Sequence, residues 1–444
     1  MARFLFSTAP FPAHLDWGGL LATARRLRDR GHAVLWASGP EVGGLLDAAG
    51  IDRREIPVAS PAAAALDLGK VWSPHSPVRA ALMAMLWRAA LRPSAALRTT
   101  PGLGAQYALL VRAMTEMWLQ EDAVARACEA HLRLIADWEA DVVIAEPMVV
   151  AAALAAEASG VAFASCGYPG PYLVVQPIPE VAPAVDEYHQ ILNRLRRRFD
   201  LAAVERRPDP EMFFSSAELQ MVFFPPEWFA GASPRPSAGA CFLGGVPFEP
   251  WTPAPAWLDE LPADRSLVVI ARASSYHSSA GTLPALFEAV GRIGGYGVIG
   301  GSPRVRSALE PLPAHIRWEP WVPYEHLLPR AAAVAHHGGL GTTHAAIRHG
   351  VPQLVAPEAG DQLLHAHAVA TQGVGVLLHG HPTVAQVETA LRHVTGDPRV
   401  RSACERARGR FASLGGVTRA AERLVELAER RRPNARLAAA AEGR

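Results

Sequence analysis

Apolar and polar positions alternate along this chain in two rhythms. Residues 3–8 form a short apolar run of strand length, and 9–17 break it with two prolines. Leu20, Leu21, Ala24 and Leu27 then recur at helical spacing until Gly31, and 33–37 is a second apolar run. Strand, loop, helix and strand in that order open a parallel sheet, and such sheets bind ligands beyond the C-terminal ends of their strands. The spacing next predicts a helix within 106–139, a strand over 141–145, a helix over 149–158 and a strand over 161–165. Short helices are expected in 69–103, a Pro-rich loop in 168–183, an Arg-studded helix over 185–206 and a strand over 219–224. The arginines at 194–198 fit a solvated helix face, with contact to a membrane surface as the minor alternative.

From 225 to about 255 the chain is rich in Pro, Gly and Ala and reads as a linker. Alternation resumes with a strand over 267–270, a helix over 283–293 and a strand over 296–299, and ends in helices over 383–432. The expected fold is therefore α/β: two domains of similar size, joined by one linker and enclosing a cleft. The first covers 1–225, the linker 226–255, the second 256–432, and 433–444 is a frayed tail.

Within the second unit, 321–362 is the most distinctive stretch. The apolar run 331–335 fits a buried strand, His337-Gly338-Gly339-Leu340-Gly341-Thr342 is a Gly-rich turn, and 342–349 is a helix stopped by Gly350 and Pro352. A strand feeding such a turn and a helix start is a place to hold phosphate, because backbone N–H groups and the helix dipole favour negative charge there. His337 adds a side-chain donor and Thr342 a hydroxyl. A lone Gly-x-Gly would read more simply as a capped helix.

Composition narrows the function. The chain has 444 residues, half of them apolar, enough for about two or three domains with sizeable cores. A net charge of +1, with Lys70 the single lysine, gives no electrostatic footprint for nucleic acid. The cysteines, Cys128, Cys166, Cys241 and Cys404, are far apart, which disfavours a metal knuckle or disulfide framework and suits a reducing compartment. The apolar run at the N-terminus is too short for a signal peptide, and 142–166 carries Glu146 and Glu157, so no transmembrane segment is expected and the location expected is cytoplasmic.

Trp321-Val322-Pro323, the His337-Gly-Gly-x-Gly-Thr342 turn, Gly350-Val-Pro-Gln353 and Pro357-x-x-x-Asp361-Gln362 resemble the signature of glycosyltransferase family 1. The likeness is to its bacterial branch acting on antibiotics and other natural products, and in layout it covers nearly the whole chain. The resemblance implies a GT-B fold, with the acceptor on the N-terminal domain, the nucleotide-sugar on the C-terminal one, and the C-terminal helix packing back on the N-terminal domain. It also implies roles for individual residues. Trp321 would stack on the pyrimidine and Val322 bind its edge through the backbone. Ser274, His337, Gly339, Gly341 and Thr342 would hold the pyrophosphate, and Asp361 and Gln362 the sugar hydroxyls. Trp321 as a core residue and Asp361 as a helix cap are the simpler alternatives. His14 would be the general base and Glu146, ending the 141–145 strand, its carboxylate partner, with Asp16 as rival.

The implied reaction is inverting and metal-independent, with no cofactor beyond the nucleotide-diphosphate sugar and a hydrophobic small molecule as acceptor; homodimer formation is left open. Trp72, Trp87, Trp118, Tyr168, Tyr172, Phe213 and Phe214 are the aromatic candidates for the acceptor cleft. Two departures matter. Ala345 stands where many relatives carry a glutamate for the ribose hydroxyls, which favours a dTDP-sugar over a UDP-sugar. Arg272 and Ser274 stand where a Leu-Gly-Thr/Ser turn is usual. The alternative from another class is a non-catalytic GT-B helper that activates a partner transferase.

Overall fold

The computed structural model describes residues 1–11, 14–15, 19–58, 118–167, 173–174, 182–205, 211–212, 216–230, 236–245, 253–271, 282–301, 306–307, 309–357, 362–379 and 382–442, with 108, 111–112, 115 and 179. The expectations for 69–103, and for Asp16, Arg272, Ser274, Asp361, Trp72, Trp87, Tyr168, Tyr172, Phe213 and Phe214, lie outside the described residues.

Two parallel sheets carry the chain. The first is built from β1 (Arg3–Ser7), β2 (Ala33–Ser38), β3 (Arg53–Glu55), β4 (Val142–Ala145) and β5 (Ala162–Cys166). A short antiparallel pair, β6 (Leu173–Val174) with β7 (Glu211–Met212), stands apart from it. β8 (Leu219–Val222) and β9 (Ala240–Phe242) complete the first sheet, whose order is β3-β2-β1-β4-β5-β8-β9. The second sheet uses β10 (Leu267–Ile270), β11 (Tyr296–Gly300), β12 (Ile316–Glu319), β13 (Ala333–His336), β14 (Gln353–Val355) and β15 (Gly375–Leu377), in the order β12-β11-β10-β13-β14-β15. Phe4, Leu5 and Phe6 of β1 are all buried, as are Leu267 to Ile270 of β10. Unbroken burial along a strand is what a parallel sheet covered on both faces requires.

In each sheet the strand order reverses once beside the first strand, between β1 and β4 and between β10 and β13. Such a switch point opens a crevice at the C-terminal strand ends. Helix Leu20–Asp29 carries the chain from β1 to β2, and Leu340–His349 from β13 to β14.

Three observations modify the sequence reading. The expected linker contains β9, which pairs with β8 and adds an edge strand to the first sheet; three residues amid Pro, Gly and Ala leave no period to detect. In the same stretch Trp228 and Phe229 are buried. The helix expected to end at 432 is one element, Gly416–Glu442, that includes most of the expected tail; Ala435 and Ala438–441 are strong helix formers. Its earlier turns pack on Leu20–Asp29 and against β4, β5 and β8, so the C-terminal helix returns to the first domain. The arginine-rich helix, Ala182–Arg198, is bound by ion pairs to its neighbours: Arg194 to Glu121, Arg196 to Glu157 and Arg198 to Glu129.

Candidate active site

The first half-site forms where β1 and β4 end side by side, with Ser7 paired to Ala145. The next residue of β4's chain is Glu146, 1% exposed. One carboxylate oxygen accepts the Ala9 N–H. The other accepts from His14 Nδ1 at 2.6 Å. A carboxylate this close fixes the tautomer: Nδ1 carries the proton and Nε2 is the basic nitrogen. Aromatic rings brace the imidazole. Trp118 lies nearly parallel to it, with centroids 6.3 Å apart, and Phe11 tilts against it at 5.2 Å. Below the site Ser7 donates to His131 Nε2 at 2.9 Å, and His131 Nδ1 donates to the Ala127 carbonyl. That ring is fully buried, and burial lowers its pKa to about 4.

The second half-site forms after β13. Helix Leu340–His349 starts at Gly339 and ends at Gly350. His337 is half-buried, and desolvation pulls its pKa down to about 4 against a small opposing effect of the Ala271 carbonyl. The ring is thus neutral at neutral pH. Gly339 lies against the end of the His337 ring, whereas Gly341 is exposed and faces open space. Thr342, 9% exposed, sits in the first turn of the helix.

Trp321 is 55% exposed, so it does not belong to the core. An exposed indole is a large apolar surface that the fold itself does not use. Val322 packs on Gly300 so closely that a Cβ there would come within 2.9 Å of its Cγ2. Two residues on, Tyr324 packs with Val322 on the apolar cluster that holds Ala345, and burial raises the pKa of its phenol to about 12. Tyr324 thus joins the Trp321 loop to helix Leu340–His349, a link the motif alone does not disclose. Gln362, 4% exposed, begins helix Gln362–Thr371, with its backbone carbonyl against Gly338. Ala345 is buried in an apolar cluster with Leu327 and Val334, against which Val322 and Tyr324 pack.

The structure therefore brings His14 and Glu146 together, and packs Val322 and Tyr324 on the apolar cluster that holds Ala345. Sequence reading also missed Phe11 and His336, and it took Trp118 for an acceptor contact without linking it to His14. Phe11 had one signal, its place in the His14 loop.

Comparison with known proteins adds to this geometry. Residues 25–212 match the N-terminal domain of the erythromycin biosynthesis protein CIII-like family, and 285–427 match its C-terminal domain. The L-demethylnoviosyl transferase of Streptomyces niveus is 31% identical over 297 residues, 62% of this chain and 68% of that protein. The 10-deoxymethynolide desosaminyltransferase of Streptomyces venezuelae is 28% identical over 321 residues, 67% of this chain and 70% of that protein. Among solved structures, the glycosyltransferase VinC in complex with dTDP superposes with a TM-score of 0.68 at 22% identity, covering 96% of this chain and all of VinC. Both domains match in order on a two-sheet GT-B architecture, and the chain belongs to the erythromycin biosynthesis protein CIII-like family of bacterial natural-product glycosyltransferases.

Proposed function

We propose that this glycosyltransferase moves a sugar from a dTDP-sugar to a hydroxyl of a hydrophobic natural-product acceptor with inversion at the anomeric carbon. The acceptor hydroxyl gives its proton to His14 Nε2 as its oxygen attacks the anomeric carbon. The bond to the diphosphate breaks on the opposite face, and the diphosphate leaves with the electron pair. Glu146 holds the ring in the tautomer that leaves Nε2 basic, and stabilises the imidazolium that forms.

The observation that carries this reading is the 2.6 Å bond between His14 Nδ1 and the buried carboxylate of Glu146 at the switch point of the first sheet. A non-catalytic helper has no use for a buried carboxylate aligning an imidazole. On the donor side, Trp321 stacks on the base and Val322 meets its edge. His337, Gly339, Gly341 and Thr342 take the diphosphate, whose developing charge is met by fixed donors in place of a divalent ion. Ser274 completes that shell, and Asp361 with Gln362 sorts the sugar hydroxyls. The apolar surroundings of Ala345 offer nothing to a ribose 2′-hydroxyl, which supports dTDP over UDP.

His14→Ala tests the reading. Transfer, followed by mass spectrometry across dTDP- and UDP-sugars and a panel of hydroxylated aglycones, should fall at least a hundred-fold, about the share a positioned base supplies. dTDP binding by calorimetry should stay within two-fold of the parent, ~0.4 kcal/mol. Full transfer by the variant would remove His14 from the mechanism.

A further inference from the structure

We propose that His336 is a positioning residue for the donor site, holding the Gly338 peptide in place through a single tautomer fixed by Gln353. The inference rests on the reading that the 337–342 turn holds the donor diphosphate. His336 is the last residue of β13 and is 5% exposed. Its Nδ1 accepts the Gly338 N–H at 3.1 Å, and its Nε2 meets Gln353 Oε1 at 3.0 Å. These two contacts leave one consistent proton arrangement. The backbone N–H is only a donor, so Nδ1 is unprotonated; Nε2 then carries the proton and donates to the amide oxygen.

Gly338 is the pivot of the turn. Its φ of +89° lies in the left-handed region. A Cβ there would stand 2.7 Å from the Gln362 carbonyl oxygen and 3.0 Å from Val355 Cγ1. The pinned peptide thus fixes where His337 and Gly339 face, and at the same time sets the first turn of Gln362–Thr371. One hydrogen bond, donated by the Gly338 N–H to His336, aligns the diphosphate turn with the helix that opens the sugar side. Gln353 reaches His336 from the neighbouring strand, where it pairs with Val334, two residues away on the same face. Burial keeps the ring neutral, with its pKa lowered to about 3, so the tautomer persists throughout the neutral range.

Calorimetric titration with dTDP tests this on the full chain, with circular dichroism and Tm to verify folding. His336→Leu removes the acceptor and should weaken dTDP about ten-fold, the cost of one buried N–H left without a partner. His336→Asn places its amide oxygen where Nδ1 stood and should recover most of that loss. Gln353→Met should weaken dTDP in the parent but add little in the His336→Asn background, because Gln353 acts only through the ring. Leu and Asn variants that are folded and equally weak, or a Leu variant that binds like the parent, would overturn the proposal. A Gln353→Met effect of equal size in both backgrounds would do the same. His337→Ala separates the two readings. If it weakens dTDP while His336→Leu does not, only this inference fails. If the parent binds neither dTDP nor UDP, or His337→Ala leaves binding intact, the diphosphate reading itself fails.

Discussion

The imidazole of His14 lies almost face to face with the indole of Trp118, with ring planes 26° apart and centroids separated by 6.3 Å. Glu146 sets the tautomer of His14, and the indole, 6% exposed, limits how the ring can turn about that hydrogen bond. Displacing a catalytic group by about 1 Å can cost a hundred-fold in rate. Trp118→Leu is therefore expected to lower kcat about ten- to hundred-fold while dTDP affinity, which the proposed function assigns to the other sheet, stays unchanged. Trp118→Phe keeps a flat ring and should retain most of the activity. Equal losses in kcat and dTDP affinity would point instead to a general loss of fold.

Trp321 makes the opposite case, a large apolar side chain with little to lose in stability. At 55% exposure its removal should leave stability within about 0.5 kcal/mol of the parent. Stacking of a base on an aromatic ring is worth about 1–3 kcal/mol, so Trp321→Ala should weaken dTDP about ten-fold at unchanged Tm. A fall in Tm without a change in affinity would mean that the indole serves the fold and not the donor.

Where a feature follows from the period of the chain and the ends of its strands, it was legible in advance. His14 and Glu146, 132 residues apart, were singled out by the family resemblance; the period supplied only the strands they follow, and the pairing of β1 with β4 makes those strand ends neighbours. The Gly-rich turn was legible from its own residues, between an apolar run and a helix. Trp118 was not tied to His14, because nothing in its local spacing says which loop it will cover. The His336–Gln353 pair was hidden differently: Gln353 ends one recognised motif and His336 directly precedes another, but their bond depends on the register of β13 on β14, which side-chain order does not reveal. β9 escaped because an edge strand of three residues carries no alternation.

Gly338→Ala probes the turn from its backbone. At φ +89° a side chain costs about 1–3 kcal/mol, and the added Cβ has the Gln362 carbonyl 2.7 Å away. Because that carbonyl is backbone, relief requires moving the start of Gln362–Thr371. The variant should lose both stability and dTDP affinity, whereas Gly341→Ala, facing open space, should lose affinity with little change in Tm. Chemical denaturation and calorimetry on the same samples separate the two; a Gly341→Ala protein binding dTDP like the parent would show that no ligand comes close there.

Buried histidines give the fold a predictable acid limb. Desolvation lowers the pKa to about 4 for His131, and to about 3 for His336, His344 and His365. Each is neutral in the folded chain and titrates near 6.5 once unfolded. Below 6.5 the unfolded state binds protons that the folded state refuses, so stability falls as pH falls, and the fall continues until the folded values near 3 to 4 are reached. Each such ring contributes a slope of about 1.4 kcal/mol per pH unit inside that window and none above it. His365 also accepts the Trp228 indole N–H at 3.1 Å, and Phe224 stacks on it, where the crossing chain meets Gln362–Thr371. Its protonation would break the bond by which Trp228 is held to that helix. Tm should be level above pH 7 and drop steadily from pH 6.5 to pH 5, and His365→Gln, which does not titrate, should flatten that drop. Scanning fluorimetry in matched ionic strength reads both, and a Tm independent of pH between 7 and 5 would show that these rings do not govern acid stability.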